Sequence, residues 1–181
     1  MGVNLSSRQF TQQNLAATIA KIVQQHRLDP RGLKLELTES VAMDDVESAI
    51  QQLTQLKHEG LHISLDDFGT GYSSLSYLHR LPIDSLKIDK SFVDHMESVS
   101  ENEDIVVTIV TLAQRLQLDI VAEGVETLEQ ARLLRQLQCH YAQGYFFSKP
   151  VPKDQATHLL TQRKNWMIDA AETSLYSSEA E

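Results

Sequence analysis

Five short runs of mostly branched apolar residues, at 33–37, 61–65, 85–88, 118–122 and 142–147, alternate with longer stretches whose apolar residues recur at helical spacing. A sixth, clipped run, Val3-Asn4-Leu5, stands at the front. Their length and branching read as strands. The stretches 10–25, 46–59, 103–117, 128–138 and 154–165 read as helices, the first on Leu15, Ile19, Ile22 and Val23. Thr127 with Gln130 and Ser100 with Glu103 have capping-box spacing, and Gly60 follows the helix after Val46 as a stop. Strand and helix alternating every ~20 to 35 residues is the pattern of parallel strands joined by crossover helices, so the fold class is α/β.

The polar residues sharpen that expectation. Nearly every strand ends on one: Asn4, Glu36, Asp66 with Asp67, Lys87 with Asp89, Glu123 with Glu126, and Gln143. In a closed parallel barrel all strand C-termini open onto one rim, where such groups converge. In an open doubly wound sheet they would be strung along a line, so the barrel is favoured. Two carboxylates ~4 Å apart cost on the order of 4 kcal/mol at an effective dielectric of about 20, so Glu36, Asp66, Asp67 and Glu123 cannot all stay ionised unaided. Protons or cations must relieve them. Oxygen donors suit Mg²⁺, Mn²⁺ or Ca²⁺; the histidines are scattered, and no Cys or His group suits zinc.

With 181 residues, 41% of them hydrophobic, the chain is long enough for one domain with its own core. A net charge of −9 and a pI near 5.2 would repel nucleic acid and anionic lipid, so a phosphate ligand needs a local device. Cys139, the single cysteine, excludes an intramolecular disulfide and reads as a small core residue in a reducing compartment. The longest apolar run, 105–110, is too short to cross a bilayer, and the start carries no leader pattern. The expectation is a cytoplasmic protein, or the cytoplasmic part of a larger signalling protein. Residues 166–181 read as a C-terminal tail, since 170–181 are small, polar and acidic without apolar period.

Six ordered motifs carry a resemblance: Asn4-Leu5-Ser6, Leu35-Glu36-Leu37-Thr38-Glu39, Asp66-Asp67-Phe68-Gly69-Thr70-Gly71-Tyr72-Ser73-Ser74-Leu75, Leu86-Lys87-Ile88-Asp89, Ala122-Glu123-Gly124-Val125-Glu126 and Gln143-Gly144-Tyr145. Together they resemble the EAL domains, phosphodiesterases that hydrolyse the bacterial messenger cyclic di-GMP to linear pGpG. The resemblance runs from Val3 to about Leu160 and implies a TIM-like (β/α)8 barrel, of which residues 3–165 supply about the last six β/α units. It implies Asn4, Glu36 and Asp66 as ligands of one metal ion, Asp66 and Asp67 as ligands of a second, and Glu123 as reaching both. The ions implied are Mg²⁺ or Mn²⁺, with Ca²⁺ inhibitory. Lys87 resembles the group that orients or deprotonates the attacking water, and Gln143 the one that holds that water or the metal shell. Glu39 with the loop Gly69, Thr70, Gly71, Tyr72, Ser73 and Ser74 resembles a regulatory pair, and Asp89 and Glu126 are supporting residues. A homodimer and a fused sensor or diguanylate cyclase (GGDEF) domain upstream are implied partners.

The sequence also departs from that family. It contains no Glu-Ala-Leu tripeptide, whose Glu is a metal ligand, nor the Gln-Pro strand and the Arg that accompany it. The expectation is a domain short of two strands, with weak or no turnover, two open sheet edges and an exposed apolar interior. The alternative is a module that binds cyclic di-GMP or a protein without hydrolysis; an unrelated phosphate-processing barrel is a third reading. Plainer roles stand beside the chemical ones. Asn4 with Ser6 would cap a helix, Asp66-Asp67 would form a turn and cap, Lys87 would only neutralise acids, and Glu126 would bond backbone at a helix start. Phe146, Phe147 and Pro150 would wall a guanine pocket or belong to the core.

Overall fold

The computed structural model describes residues 1–70, 75–96 and 100–161. Six strands lie in chain order, each parallel to its neighbour: β1 (Gly2–Asn4), β2 (Lys34–Thr38), β3 (His62–Phe68), β4 (Ser85–Ile88), β5 (Asp119–Ala122) and β6 (Tyr141–Ala142). Helices α1 (Ser7–Phe10) and α2 (Leu15–Gln25) follow β1, and α3 (Glu39–Asp44) and α4 (Val46–His58) follow β2. Next come α5 (Leu75–Leu78) after β3, α6 (Lys90–His95) and α7 (Ser100–Arg115) after β4, α8 (Leu128–Gln136) after β5 and α9 (Lys153–Thr161) after β6. This is six β/α units of the expected barrel architecture.

Alternation along the strands divides the sheet into two faces. Leu35, Leu37, Ile63, Leu65, Leu86, Ile88, Ile120 and Ala122 are all buried and join Ala49, Leu53, Leu56, Val106, Val110 and Ala113 from α4 and α7 in one core. Each large one truncated to Ala would cost roughly 2–5 kcal/mol. The opposite face carries Glu36, Ser64, Asp66, Ser85 and Lys87, with the Ser85 hydroxyl donating to Ser64 at 2.9 Å. The expected apolar interior is therefore not found. The concave face is polar, and the apolar core lies between the sheet and its helices.

The sheet must also curl. Strands ~4.8 Å apart in a flat sheet would hold β2 and β5 ~14 Å apart. Yet Glu36 on β2 and Glu123, just past β5, both contact Lys87 on β4, at 2.8 and 2.6 Å.

Several expected elements shift. The helix expected over 10–25 starts only at Leu15; before it stands α1, begun at Ser7 by a Ser6–Gln9 capping box and ended at buried Phe10. The helix at 46–59 is preceded by α3, a separate short helix, and the Asp45 carboxylate then caps α4 through the Ser48 N–H. The strand expected over 142–147 ends at Ala142: a Cβ on Gly144 would lie 2.1 Å from the Val125 carbonyl oxygen, and Phe146 N–H donates to that same carbonyl. The chain turns around buried Val125 instead of extending the ladder. The Thr127–Gln130 capping box forms as expected, whereas the side chains of Ser100 and Glu103 lie outside the described residues, as does everything from 162 on, tail included.

Candidate active site

Strand β3 does not stop before its two aspartates; it runs through them to Phe68. Its register with β4 slips between Leu65 and Phe68, and Asp67 sits at φ 53, in the left-handed region. This bulge is what lets two consecutive carboxylates share one face, which regular pleating forbids. Carboxylate oxygens of Asp66, Asp67 and Glu123 all lie within 4.8 Å of one another. The turn expected at Asp66-Asp67 forms as well, with the Asp67 carbonyl accepting the Thr70 N–H at 3.4 Å.

Lys87 is the hub. Its side chain is 8% exposed, and its ammonium contacts Glu36 at 2.8 Å, Asp66 at 3.0 Å and Glu123 at 2.6 Å. Gln143 Nε2 donates to Glu123 Oε1 at 2.6 Å. Burial pulls the Lys87 pKa down, but hydrogen bonds to Glu123, Glu36 and Asp66 outweigh it and hold the proton more tightly than usual. Burial, offset in part by Lys87, pushes the Glu123 carboxyl up, and Asp66 and Glu36 add to the rise. The two shifts are consistent: three anions surround the one Lys87 ammonium, while Glu123 shares that cation with two other acids. Burial raises Asp67 as well, reinforced by Asp66 and Asp89.

The other expected residues differ in what they contact. Asn4 pairs in register with Glu36, on the same face, but stands exposed and outside the contacts of Lys87; the cap of α1 is Ser6. Glu39, 2% exposed, accepts the Gly69 N–H at 2.9 Å, and Thr70 Oγ1 donates to the Asp67 carbonyl at 2.8 Å. Gly71, Tyr72, Ser73 and Ser74 lie outside the described residues. Asp89 caps α6 through Ser91 N–H at 3.0 Å. The Glu126 carboxylate pairs with the Lys90 ammonium rather than bonding backbone, while the Glu126 N–H donates to Gln130 Oε1. Phe146 and Phe147 meet edge to face at 5.2 Å and pack, half-buried, against the core. Pro150, expected with them, lines a hollow of about 740 Å³ beside the rim together with Lys90, Glu123, Gln143, Tyr145 and Lys149. Cys139 is a core-edge thiol, pushed up to about 11 by burial.

These donors fit a hard divalent cation. They are all oxygen, anionic charge exceeds cationic charge, and the Lys87 ammonium already sits among three carboxylates as a cation does.

The sequence matches the EAL domain family over residues 1–150. The chain belongs to that family. MucR of Pseudomonas aeruginosa, a bifunctional diguanylate cyclase/cyclic di-GMP phosphodiesterase, is 45% identical over 155 residues, 86% of this chain and 23% of MucR. NbdA of the same organism, a cyclic di-GMP phosphodiesterase, is 40% identical over 152 residues, 84% of this chain and 19% of NbdA. The solved PaMucR phosphodiesterase in complex with c-di-GMP superposes with a TM-score of 0.83 at 45% identity, covering 86% of this chain and 63% of that one. This EAL chain thus spans about a quarter or less of the length of these curated relatives.

Sequence reasoning missed some of the EAL site's supports. A Cβ on Gly2 would lie 2.3 Å from Glu36 Oε1, so a larger residue there would displace that carboxylate. Ser64 and Ser85 floor the site, and the alternation His62-Ile63-Ser64-Leu65-Asp66 was the available signal. Lys90, which pairs with Glu126, carried no signal of its own, and Gln130 showed only as half of the Thr127 capping box, not as a hold on Glu126.

Proposed function

We propose that this chain carries the catalytic rim of a metal-dependent phosphodiesterase that opens cyclic di-GMP to linear pGpG. The observation that supports it most is the under-compensated acid group around Lys87 at the C-terminal ends of parallel strands. Asn4, Glu36 and Asp66 would hold one cation, Asp66 and Asp67 a second, and Glu123 both, with Mg²⁺ or Mn²⁺ as the working ions and Ca²⁺ as an inhibitory competitor. When bound, such ions supply Lewis acidity toward a phosphate oxygen and a water acidic enough to attack at neutral pH. Lys87, held as a cation, suits orienting that water and steadying negative charge on the phosphate better than removing a proton. Gln143 would hold Glu123 in place through its 2.6 Å bond. Water adds to phosphorus in line with the departing ribose oxygen, which takes up a proton, so one phosphodiester becomes a 5′-phosphate and a free hydroxyl.

The reading includes a partial domain over residues 3–165, Glu39 with the 69–74 loop as a regulatory pair, and a cytoplasmic setting beside a sensor or diguanylate cyclase domain and a second copy. The test incubates cyclic di-GMP and Mg²⁺ with this chain and with a form extended upstream by ~90 residues, to the size of a usual barrel. We expect pGpG from the extended form and little from the chain alone. An extended form that binds the dinucleotide without making pGpG overturns the hydrolase reading in favour of a binding module.

A further inference from the structure

The Glu123 carboxylate is only as well placed as the turn that follows it, and that turn is gripped from one side by α6. Gly124, at φ 69, lies under the Lys90 stem so closely that a Cβ would meet Lys90 Cγ at 2.2 Å. The Lys90 ammonium pairs with Glu126, two residues further on, and lies 3.8 Å from Asp94. A second hold comes through Gln130, a buried polar side chain 4% exposed. Its Oε1 accepts the N–H groups of Glu126 at 2.7 Å and Thr127 at 3.1 Å, while its Nε2 donates to the Val93 carbonyl of α6 at 3.2 Å. Helix α6 follows directly on β4, the strand that carries Lys87.

We propose that Lys90 and Gln130 are positioning residues for the reaction: together they clamp the 123–127 turn to α6 and so fix Glu123 at its 2.6 Å contact with Lys87. This rests on the phosphodiesterase reading for its catalytic consequence, but not for its geometry. The energy of the Lys90–Glu126 pair is beside the point, since partly exposed pairs contribute little. What the clamp supplies is register between two strand ends joined by a four-residue ladder. Sub-ångström drift there moves a catalytic carboxylate away from its partner.

The test labels the lysines of this chain with ¹⁵N and follows the Lys87 ammonium resonance, assigned by its loss in Lys87→Met. Lys90→Met keeps most of the stem over Gly124 and removes the charge; Lys90→Arg restores it. We expect Lys90→Met and Gln130→Met to shift the Lys87 resonance and speed its solvent exchange, and Lys90→Arg to leave both unchanged. In cyclic di-GMP hydrolysis by the extended form with Mg²⁺, kcat should fall about tenfold in Lys90→Met with KM changed less than about twofold. An unmoved Lys87 resonance in Lys90→Met, or a moved one with unchanged kcat, overturns the proposal. Should Gln130→Met fail to fold, Lys90→Met decides alone. Should the parent form hydrolyse nothing, the phosphodiesterase reading fails separately, and the Lys87 resonance still decides the clamp.

Discussion

Each end of this sheet carries a lysine bound to carboxylate, and the two groups are built on opposite principles. At the N-terminal end Asp84 is one acid with two donors, the Lys57 ammonium at 2.5 Å and the Ile63 N–H at 2.8 Å. At the C-terminal end Lys87 is one donor with three acids, Glu36, Asp66 and Glu123. The first group is complete as it stands and ties α4, β3 and β4 together. The second has an excess of anion that its own side chains do not cancel. A satisfied charge group holds a fold; an unsatisfied one needs something from solution.

The contrast breaks most sharply on substitution. If Asp66 is the direct ligand proposed above, Asp66→Asn should lower Mn²⁺ affinity, read by titration, more than about 100-fold, beyond the 10 to 100-fold typical of residues one shell out. Its urea midpoint should stay near that of the parent, since Lys87 keeps two carboxylates. Asp84→Ala should do the reverse. It leaves the buried Ile63 N–H without its carboxylate and frees Lys57, for a loss of about 2 kcal/mol in urea unfolding, with Mn²⁺ affinity unchanged. Equal stability losses in the two variants would erase the distinction.

How much of this was legible follows the same division. The convex core showed in the sequence because burying Leu35, Ile63, Leu86 and Ile120 requires branched apolar runs, and such runs are visible one strand at a time. The site residues Glu36, Asp66, Lys87, Glu123 and Gln143 were legible as polar breaks at strand ends, and the structure brings them together. What stayed hidden depends on contacts between distant segments. The Asp67 bulge arises from register against β4, the end of β6 from Val125 pressing on Gly144, and the Lys90–Glu126 pair from residues far apart in sequence. Short helices α3, α5 and α6 are too brief to show a period.

Titration sharpens the comparison further, with a smaller effect. Glu123 and Asp67 are raised on folding, chiefly by burial and then by neighbouring acids, with Lys87 partly opposing. An acid raised on folding binds more protons in the native than in the unfolded state between its ordinary and its raised values. Native stability from these groups therefore falls as pH rises through that window. Lys87 has the same sign in a higher window: its contribution is complete below its ordinary 10.5 and is lost as pH climbs through its raised folded value. Urea unfolding in chelator across the carboxylate range should show a downward slope with pH that Glu123→Gln flattens. An unchanged slope would mean that the excess charge costs the fold nothing.

The smallest effect separates compensation from burial. Arg80 and Glu47 form a matched pair at 2.6 Å, as self-sufficient as the Asp84 group, but their side chains are 38% and 69% exposed. If matching alone made a charge group structural, removing Arg80 would cost as much as removing Asp84. Exposed pairs give back most of their attraction in desolvation, side-chain ordering and salt screening, so Arg80→Ala should cost less than about 0.5 kcal/mol. Part of even that belongs to the Arg80 guanidinium over the Tyr77 ring at 5.8 Å, which Glu47→Gln leaves intact. Comparing Arg80→Ala with Glu47→Gln by urea midpoint isolates the ion pair. A loss near that of Asp84→Ala would mean that proximity of charge, not enclosure within the sheet's end, is what makes the N-terminal group structural.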